Sequence, residues 1–343
     1  MNIQKKLEKL TSLANGLFQC TLRSVLFLLA MVAAAPAQPT AVPVQPTATP
    51  AQPQATVERF SSLSDGRFET QLDRPPIESL RPGSPEMLKA LETFDNLPFD
   101  VGERMHFLVT YLGIRGGSAE VVVRHPVKVG EGWGARVTGE VKSAEWYSWV
   151  AKVHDAVESV FMPQDRYKPV QFYINQQEAR YFKTKIVRFN HTASQILQLE
   201  RRKGREAKEL SFELQNDVKD AIGALYFLRQ EIDQRPAHQV FEFPIFTSEK
   251  TWRGQVRLLK SERRKVFAEE YDTDVYAMDT QFGGILQQEG DIRVWFTRDK
   301  RRLPVYIQAN VQFGYIEVEL AEWDQGYASP AKKKIYPKIR RPE

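Results

Sequence analysis

The residues with chemical potential in this chain are few and scattered. The five histidines, His106, His125, His154, His191 and His238, are never spaced as local metal ligands, and no His-Glu-x-x-His occurs. The nearest cluster is His154-Asp155 with Glu158. On an alternating strand His154 and Glu158 share a face while Asp155 points the other way, which describes a polar surface better than a metal or acid–base site. The single cysteine is Cys20, and no Gly-x-Ser-x-Gly elbow supports a serine hydrolase. "GIRGGS", Gly113 to Ser118, lacks the strand-to-helix setting of a phosphate loop and reads as a glycine hairpin turn. Carboxylates abound, but none are singled out as the pair a glycosidase needs. No catalytic residue, metal or cofactor is therefore predicted.

Three other stretches could bind without reacting. "SAEWYSWVAK" crowds Trp146, Tyr147 and Trp149 beside a strand. Those rings either cap the end of a barrel, or surround the mouth of an apolar cavity, or form an interfacial belt against lipid. "RDKRR", Arg298 to Arg302, reads as a solvated hairpin tip, with Asp299 and Lys300 as turn residues and Pro304 opening the next strand. The tail "AKKKIYPKIRRPE" carries Lys332, Lys333, Lys334, Lys338, Arg340 and Arg341. It is predicted to be a disordered basic segment, serving either solubility or contact with anionic envelope material.

Composition places these stretches in a compartment. Residues 1–37 have a basic leader (Lys5, Lys6, Lys9, Arg23), the apolar run "VLFLLAMVAAA" and the small-residue site "APA". This is the layout of a secretory signal peptide cleaved near Ala37, so a periplasmic or exported protein is expected. Cys20 precedes the apolar run, which argues against lipid modification, and the mature chain has no disulfide to staple it. The leader holds four basic residues and one acidic, and Ser329–Glu343 holds six and one. Subtracting these from 48 basic and 43 acidic residues leaves 38 and 41, a body of net charge −3. Such a body lacks the basic face of a nucleic-acid binder. The expected partners are a lipid or amphiphile and, through the tail, an anionic envelope surface; oligomeric state stays open.

The elements that must position these residues follow from patterning. Residues 38–56 are almost wholly Pro, Ala, Thr, Gln and Val, a solvated linker. Residues 57–96 read as a polar, partly ordered arm, in which Ser84–Phe94 can form a short helix with Ser84 as cap and Pro85 at its first position. From 97 to 328 period-2 alternation dominates, as in Trp133–Lys142, Thr251–Leu258 and Val305–Phe313. Thirteen candidate strands with short turns predict a mainly β fold: a strongly curved antiparallel sheet or a barrel. One segment has helical spacing instead, 217–231, with Val218, Ala221, Ile222, Leu225 and Leu228 on a stripe. It is predicted to be an amphipathic helix capped by Asp217, packing Leu225 against the concave face of the sheet, with Gly223 allowing close approach.

Three stretches, in order, carry a family resemblance: "FDVGERMHFLVTYLGIRGGSAEVVV" (Phe99–Val123), "DAIGALYFLR" (Asp220–Arg229) and "VWFTRDKRRLPV" (Val294–Val305). With them the chain resembles the bacterial family called domain of unknown function 3108 over roughly 97–323. The resemblance implies an exported, β-rich protein and no reaction. The leading expectation is a non-catalytic envelope protein that binds an apolar or amphiphilic ligand or a partner protein. The alternatives are a hydrolase of an envelope polymer and a structural envelope factor. A roomy apolar interior would favour the first, converging carboxylates the second and a filled interior the third.

Overall fold

The computed structural model describes residues 77–148, 152–178, 181–235, 240–247, 249–280, 292–311 and 314–326. The leader, the linker, the first part of the arm, Trp149 and the basic tail lie outside the described residues. The described residues form sixteen strands and two helices: β1 (Ile77–Ser79), α1 (Pro85–Glu92), β2 (Arg104–Tyr111), β3 (Ile114–Val123), β4 (Val127–Val129), β5 (Gly132–Ser143), β6 (His154–Met162), β7 (Lys168–Glu178), β8 (Tyr181–Asn190), β9 (Gln195–Arg202), β10 (Lys208–Glu213), α2 (Ala221–Gln234), β11 (Phe241–Thr247), β12 (Lys250–Val266), β13 (Glu269–Thr280), β14 (Ile292–Thr297), β15 (Pro304–Val311) and β16 (Gly314–Asp324). A single helical turn, Glu145–Ser148, follows β5. Twelve of the thirteen alternating segments fall on single strands, while the candidate at 264–275 straddles the turn between β12 and β13. The short β1, β4 and β10, which lack a long alternating run, escape the pattern.

The sheet is antiparallel throughout and not closed. Its order is β10-β9-β8-β7-β6-β5-β3-β2-β16-β15-β14-β13-β12-β11, with β1 and β4 added beside β5. The domain's first long strand, β2, pairs with its last, β16, in the middle of the sheet. Strong curvature brings the two edges face to face. Phe212 of β10 lies 5.4 Å from Phe246 of β11, ring centre to ring centre. The chain between β10 and α2 covers the β11 edge: the Lys219 amide donates to Pro244 O (2.9 Å), and Phe246 N donates to Lys219 O (2.9 Å). An edge strand that would otherwise invite aggregation is paired in this way.

One core joins both arms of the sheet to α2. The helix departs from the amphipathic expectation. It begins at Ala221, and its cap is Asp220, whose carboxylate accepts from Gly223 N at 2.9 Å. Asp217, expected as the cap, sits at φ 59° and instead pairs with Arg166 and Lys219. Ala221, Ile222, Ala224, Tyr226, Phe227, Leu228 and Ile232 are all buried, whereas Leu225 is only half-buried. A helix enclosed on nearly every side buries more than one stripe, so the predicted face was too narrow. At Gly223 an added Cβ would come within 3.3 Å of the Asp220 carboxylate, so glycine there leaves room for the cap rather than for the sheet.

Three further points concern local structure. The β2–β3 turn is Leu112-Gly113, with φ of 50° and 79°, a two-residue turn of the kind hairpins favour. "RGGS" lies inside β3, where a Cβ on Gly117 would meet Lys142 O at 2.3 Å. Within the arm the expected short helix is present, with Pro85 at its start and Ser84 capping α1 by accepting from Met87 N at 3.1 Å, and β1 pairs with β4. Finally, the 298–302 turn is not a solvated tip. Arg302 donates to Asp233 of α2 (2.8 Å) and to Asp274 of β13 (3.2 Å), and Asp299 accepts from Arg301 N and its guanidinium. Guanidinium groups of the turn bind inward because carboxylates of the helix and sheet are placed to receive them.

Candidate functional site

Strand direction sorts the buried polar residues into two groups at opposite ends of the curled sheet. At the end where β2 starts and β6 finishes, Arg229 of α2 is fully buried. It forms a bidentate pair with Glu103 (2.6 and 2.9 Å) and donates to Pro98 O (2.8 Å) and Arg301 O (2.9 Å). Phe99 and Tyr226 lie under its guanidinium. Phe94, Phe99, Phe161, Tyr167 and Tyr226 complete an aromatic packing with ring centres 4.6–6.4 Å apart. Asp220 lies close by, accepting from Ser159 Oγ at 2.8 Å, and burial pushes its carboxyl up to about 6. The interior at this end is filled.

The opposite end holds the turns at 112–113, 144–153 and 178–181. Register places the inward rows there: Lys183 and Lys185 of β8, Gln198 and Glu200 of β9, Lys208 of β10. Lys183 and Lys185 are both 4% exposed, Gln198 3% and Glu200 4%. Lys183 Nζ lies 3.1 Å from Glu200 Oε2, and Arg202 Nε 2.6 Å from Glu200 Oε1. Lys185 Nζ stands 3.8 Å from Glu200 and 4.0 Å from Glu249, beyond hydrogen-bond reach of either. Gln198 Nε2 donates to Glu249 Oε1 at 3.0 Å, while its Oε1 has no partner among the described residues. Burial, assisted by the Lys183 charge, pushes Lys185 down to about 8. Burial alone would raise Glu200, but Lys183 and Arg202 outweigh it and hold the carboxyl below its usual range.

The predicted aromatic segment lies at this same end. Trp146 is 53% exposed, and its Nε1 donates to Arg115 O at 3.1 Å. Trp149 and the Tyr147 side chain lie outside the described residues, as do Lys332, Lys333, Lys334, Lys338, Arg340 and Arg341. Leu112, Ile114 and Phe182 are the other large apolar side chains exposed around these turns. The structure does not bring together the cluster at His154. His154 faces Glu140 at 3.8 Å, Glu158 is held by Arg136 at 2.7 Å, and Asp155 is buried on the other side, accepting from Gln177 N. Among the described residues no three His, Cys, Asp or Glu side chains group as metal ligands.

Sequence reasoning missed Lys183, Lys185, Gln198 and Glu200. Their signal was present: in "KTKIVRF" the two lysines share parity with Val187 and Phe189, and in "ILQLE" Gln198 and Glu200 share parity with Ile196. Charges set on the core face of an alternating strand mark a buried polar site. Two grooves lie elsewhere. One of about 280 Å³ on the outer face is lined by Ile77, Val127, Val160 and the Arg136–Glu158 pair. Another of about 490 Å³ runs along Glu269–Asp272 and Thr297–Arg301.

A family model described as "Protein of unknown function (DUF3108)" matches residues 106–321. No curated protein matches the chain. Among solved structures, a beta-barrel-like protein of domain of unknown function DUF1849 from Brucella abortus aligns with a TM-score of 0.44 at 8% identity, covering 67% of this chain and 99% of that one. The complex of MucB with MucA(peri) aligns with a TM-score of 0.14 at 12% identity, over 68% of this chain and 90% of that one.

Proposed function

The chain belongs to the DUF3108 family, and from that premise we propose that it is an exported, non-catalytic envelope protein that binds an amphiphile at the turn-rich end of its curled sheet. One observation carries the reading: Leu112, Ile114 and Trp146, 50–57% exposed, stand at the same end at which buried polar side chains line the interior. An apolar rim over a polar floor matches the two halves of an amphiphile. The opposite end is filled by α2 and its aromatic neighbours, so the ligand has only one end to enter. That filled half also favours a second reading, a structural envelope factor, in which no small ligand is bound at all.

Export rests on the leader, with cleavage near Ala37 and a periplasmic location. The six tail cations would add an electrostatic contact with anionic envelope material. Purifying the full chain from cells without detergent, followed by mass spectrometry, tests the central claim. A co-purifying lipid whose occupancy falls in Ile114→Ser/Trp146→Ala supports it. A protein free of lipid that also fails to bind decyl chains in solution leaves the structural factor standing instead.

A further inference from the structure

Lys185 is the most informative side chain in the molecule. The residue is 4% exposed, yet its ammonium donates no hydrogen bond to any described residue; the nearest carboxylate oxygens stand 3.8 and 4.0 Å away. Two other buried cations are treated differently. Lys219 Nζ donates to Asp217 O and Oδ1 at 2.6 Å each, and every reach of Arg229 ends on an oxygen. An ammonium beside a buried polar cluster, with no protein acceptor within hydrogen-bond reach, is unfavourable unless something accepts from it.

Next to it Gln198 presents the complementary deficit. Its Nε2 is committed to Glu249, and its buried Oε1 accepts from nothing described. Glu249 Oε1 links the two residues, lying 3.0 Å from Gln198 Nε2 and 4.0 Å from Lys185 Nζ. Around them, Lys183, Lys185, Arg202 and Lys208 outnumber Glu200 and Glu249, an excess of positive charge. Three adjacent inward-facing strands thus offer unused donors, two buried acceptors without a hydrogen bond, Gln198 Oε1 and Glu200 Oε2, and an excess of positive charge.

We propose that Lys185, Lys183 and Gln198 form a head-group site for an anionic group that also carries a hydroxyl or amide donor, such as a phosphate or carboxylate with a neighbouring hydroxyl. The anion accepts from Lys185 and Lys183, and the donor satisfies Gln198 Oε1. Glu200 keeps Lys183 oriented, and Arg202 and Lys208 draw the anion inward. This rests on the reading that the turn-rich end binds an amphiphile, and it names the half of the ligand that reading leaves open.

The test compares three probes by isothermal titration on the full mature chain: decyl phosphate, decanol and inorganic phosphate, all below micelle formation. The proposal expects decyl phosphate to bind at least about tenfold more tightly than decanol, the value of one good charge-assisted bond. Lys185→Met should erase that preference while leaving decanol affinity unchanged, and Lys185→Arg should restore part of it. Gln198→Met provides a second variant should Lys185→Met not fold. Equal affinity for the two decyl probes, unaltered by Lys185→Met, overturns the head-group site while the amphiphile reading survives. Decyl phosphate and inorganic phosphate binding equally, both lost in Lys185→Met, keeps the anion site and removes the amphiphile. No binding by any probe overturns both.

Discussion

Two buried charge clusters sit at opposite ends of one sheet, and they are built in opposite ways. Around Arg229 each guanidinium nitrogen has an oxygen to meet, from Pro98 and Glu103 before β2 and from Arg301 in the β14–β15 turn, and only the neighbouring Tyr226 hydroxyl is left without a partner among the described residues. Around Lys185 the geometry is loose, with contacts near 4 Å and an orphaned amide oxygen. A buried ion pair is worth keeping for stability only when its remaining hydrogen-bonding capacity is met. The first cluster fits a structural clamp. The second resembles a site whose partner is not part of the chain.

The largest effect should follow from breaking the clamp. Arg229→Met strands the Glu103 carboxylate in the core, and urea unfolding should register a loss of about 3–5 kcal/mol. A loss below about 1 kcal/mol would erase the contrast between the ends. Asp220 belongs to the same filled end and sharpens its description. Its folded pKa of about 6 exceeds the unfolded value of about 3.9, so the native state holds an extra proton between them. The stability that proton contributes is complete below about pH 4 and is lost as pH rises through about 6, amounting to about 2–3 kcal/mol. Asp220→Asn, an equally good cap, should flatten that part of the pH–stability curve.

Lys185→Met should behave unlike Arg229→Met. Removing an unsatisfied charge should leave stability within about 1 kcal/mol of wild type at pH 7, or raise it. The depressed Lys185 pKa adds a sign: wild type should gain relative to the variant as pH climbs from 8 towards 10, where the unfolded chain still holds the proton. Trp146→Ala, exposed at the rim, should alter the melting temperature least, by less than about 0.5 kcal/mol in free energy, while weakening amphiphile binding. A large loss of stability there would make the ring a structural cap.

The alternation made the strands legible because each has one face to the core, and the long strands announced themselves except at the β12–β13 hairpin, whose turn at Phe267 the pattern ran through. The helix was legible in kind but not in its start or its exposure. Asp217 and Asp220 are both good caps by type, and only the pairing of Asp217 with Arg166 and Lys219 separates them. The clamp was half legible: Glu103, Arg229 and Arg301 each lie in one of the three stretches that carry the family resemblance, but nothing local says that they meet. The Lys185 cluster was readable in parity and was missed because charge on a strand is ordinarily solvated. The turn at 298–302 was read as solvated for the same reason.

The central pairing of β2 with β16 bears on how such a chain assembles. Trp323 Nε1 reaches Glu103 across 220 positions of sequence, whereas nearly every other ladder joins neighbouring strands. The molecule is two local meanders, β2–β10 and β11–β16, joined by one long-range seam. Each meander can form quickly from short loops, but the seam carries the closure entropy of the whole domain. A chain delivered N-terminus first can arrange β2–β10 early, yet the β2 edge stays open until the last strand arrives. That interval is when a bystander strand or a chaperone would find an edge to pair with.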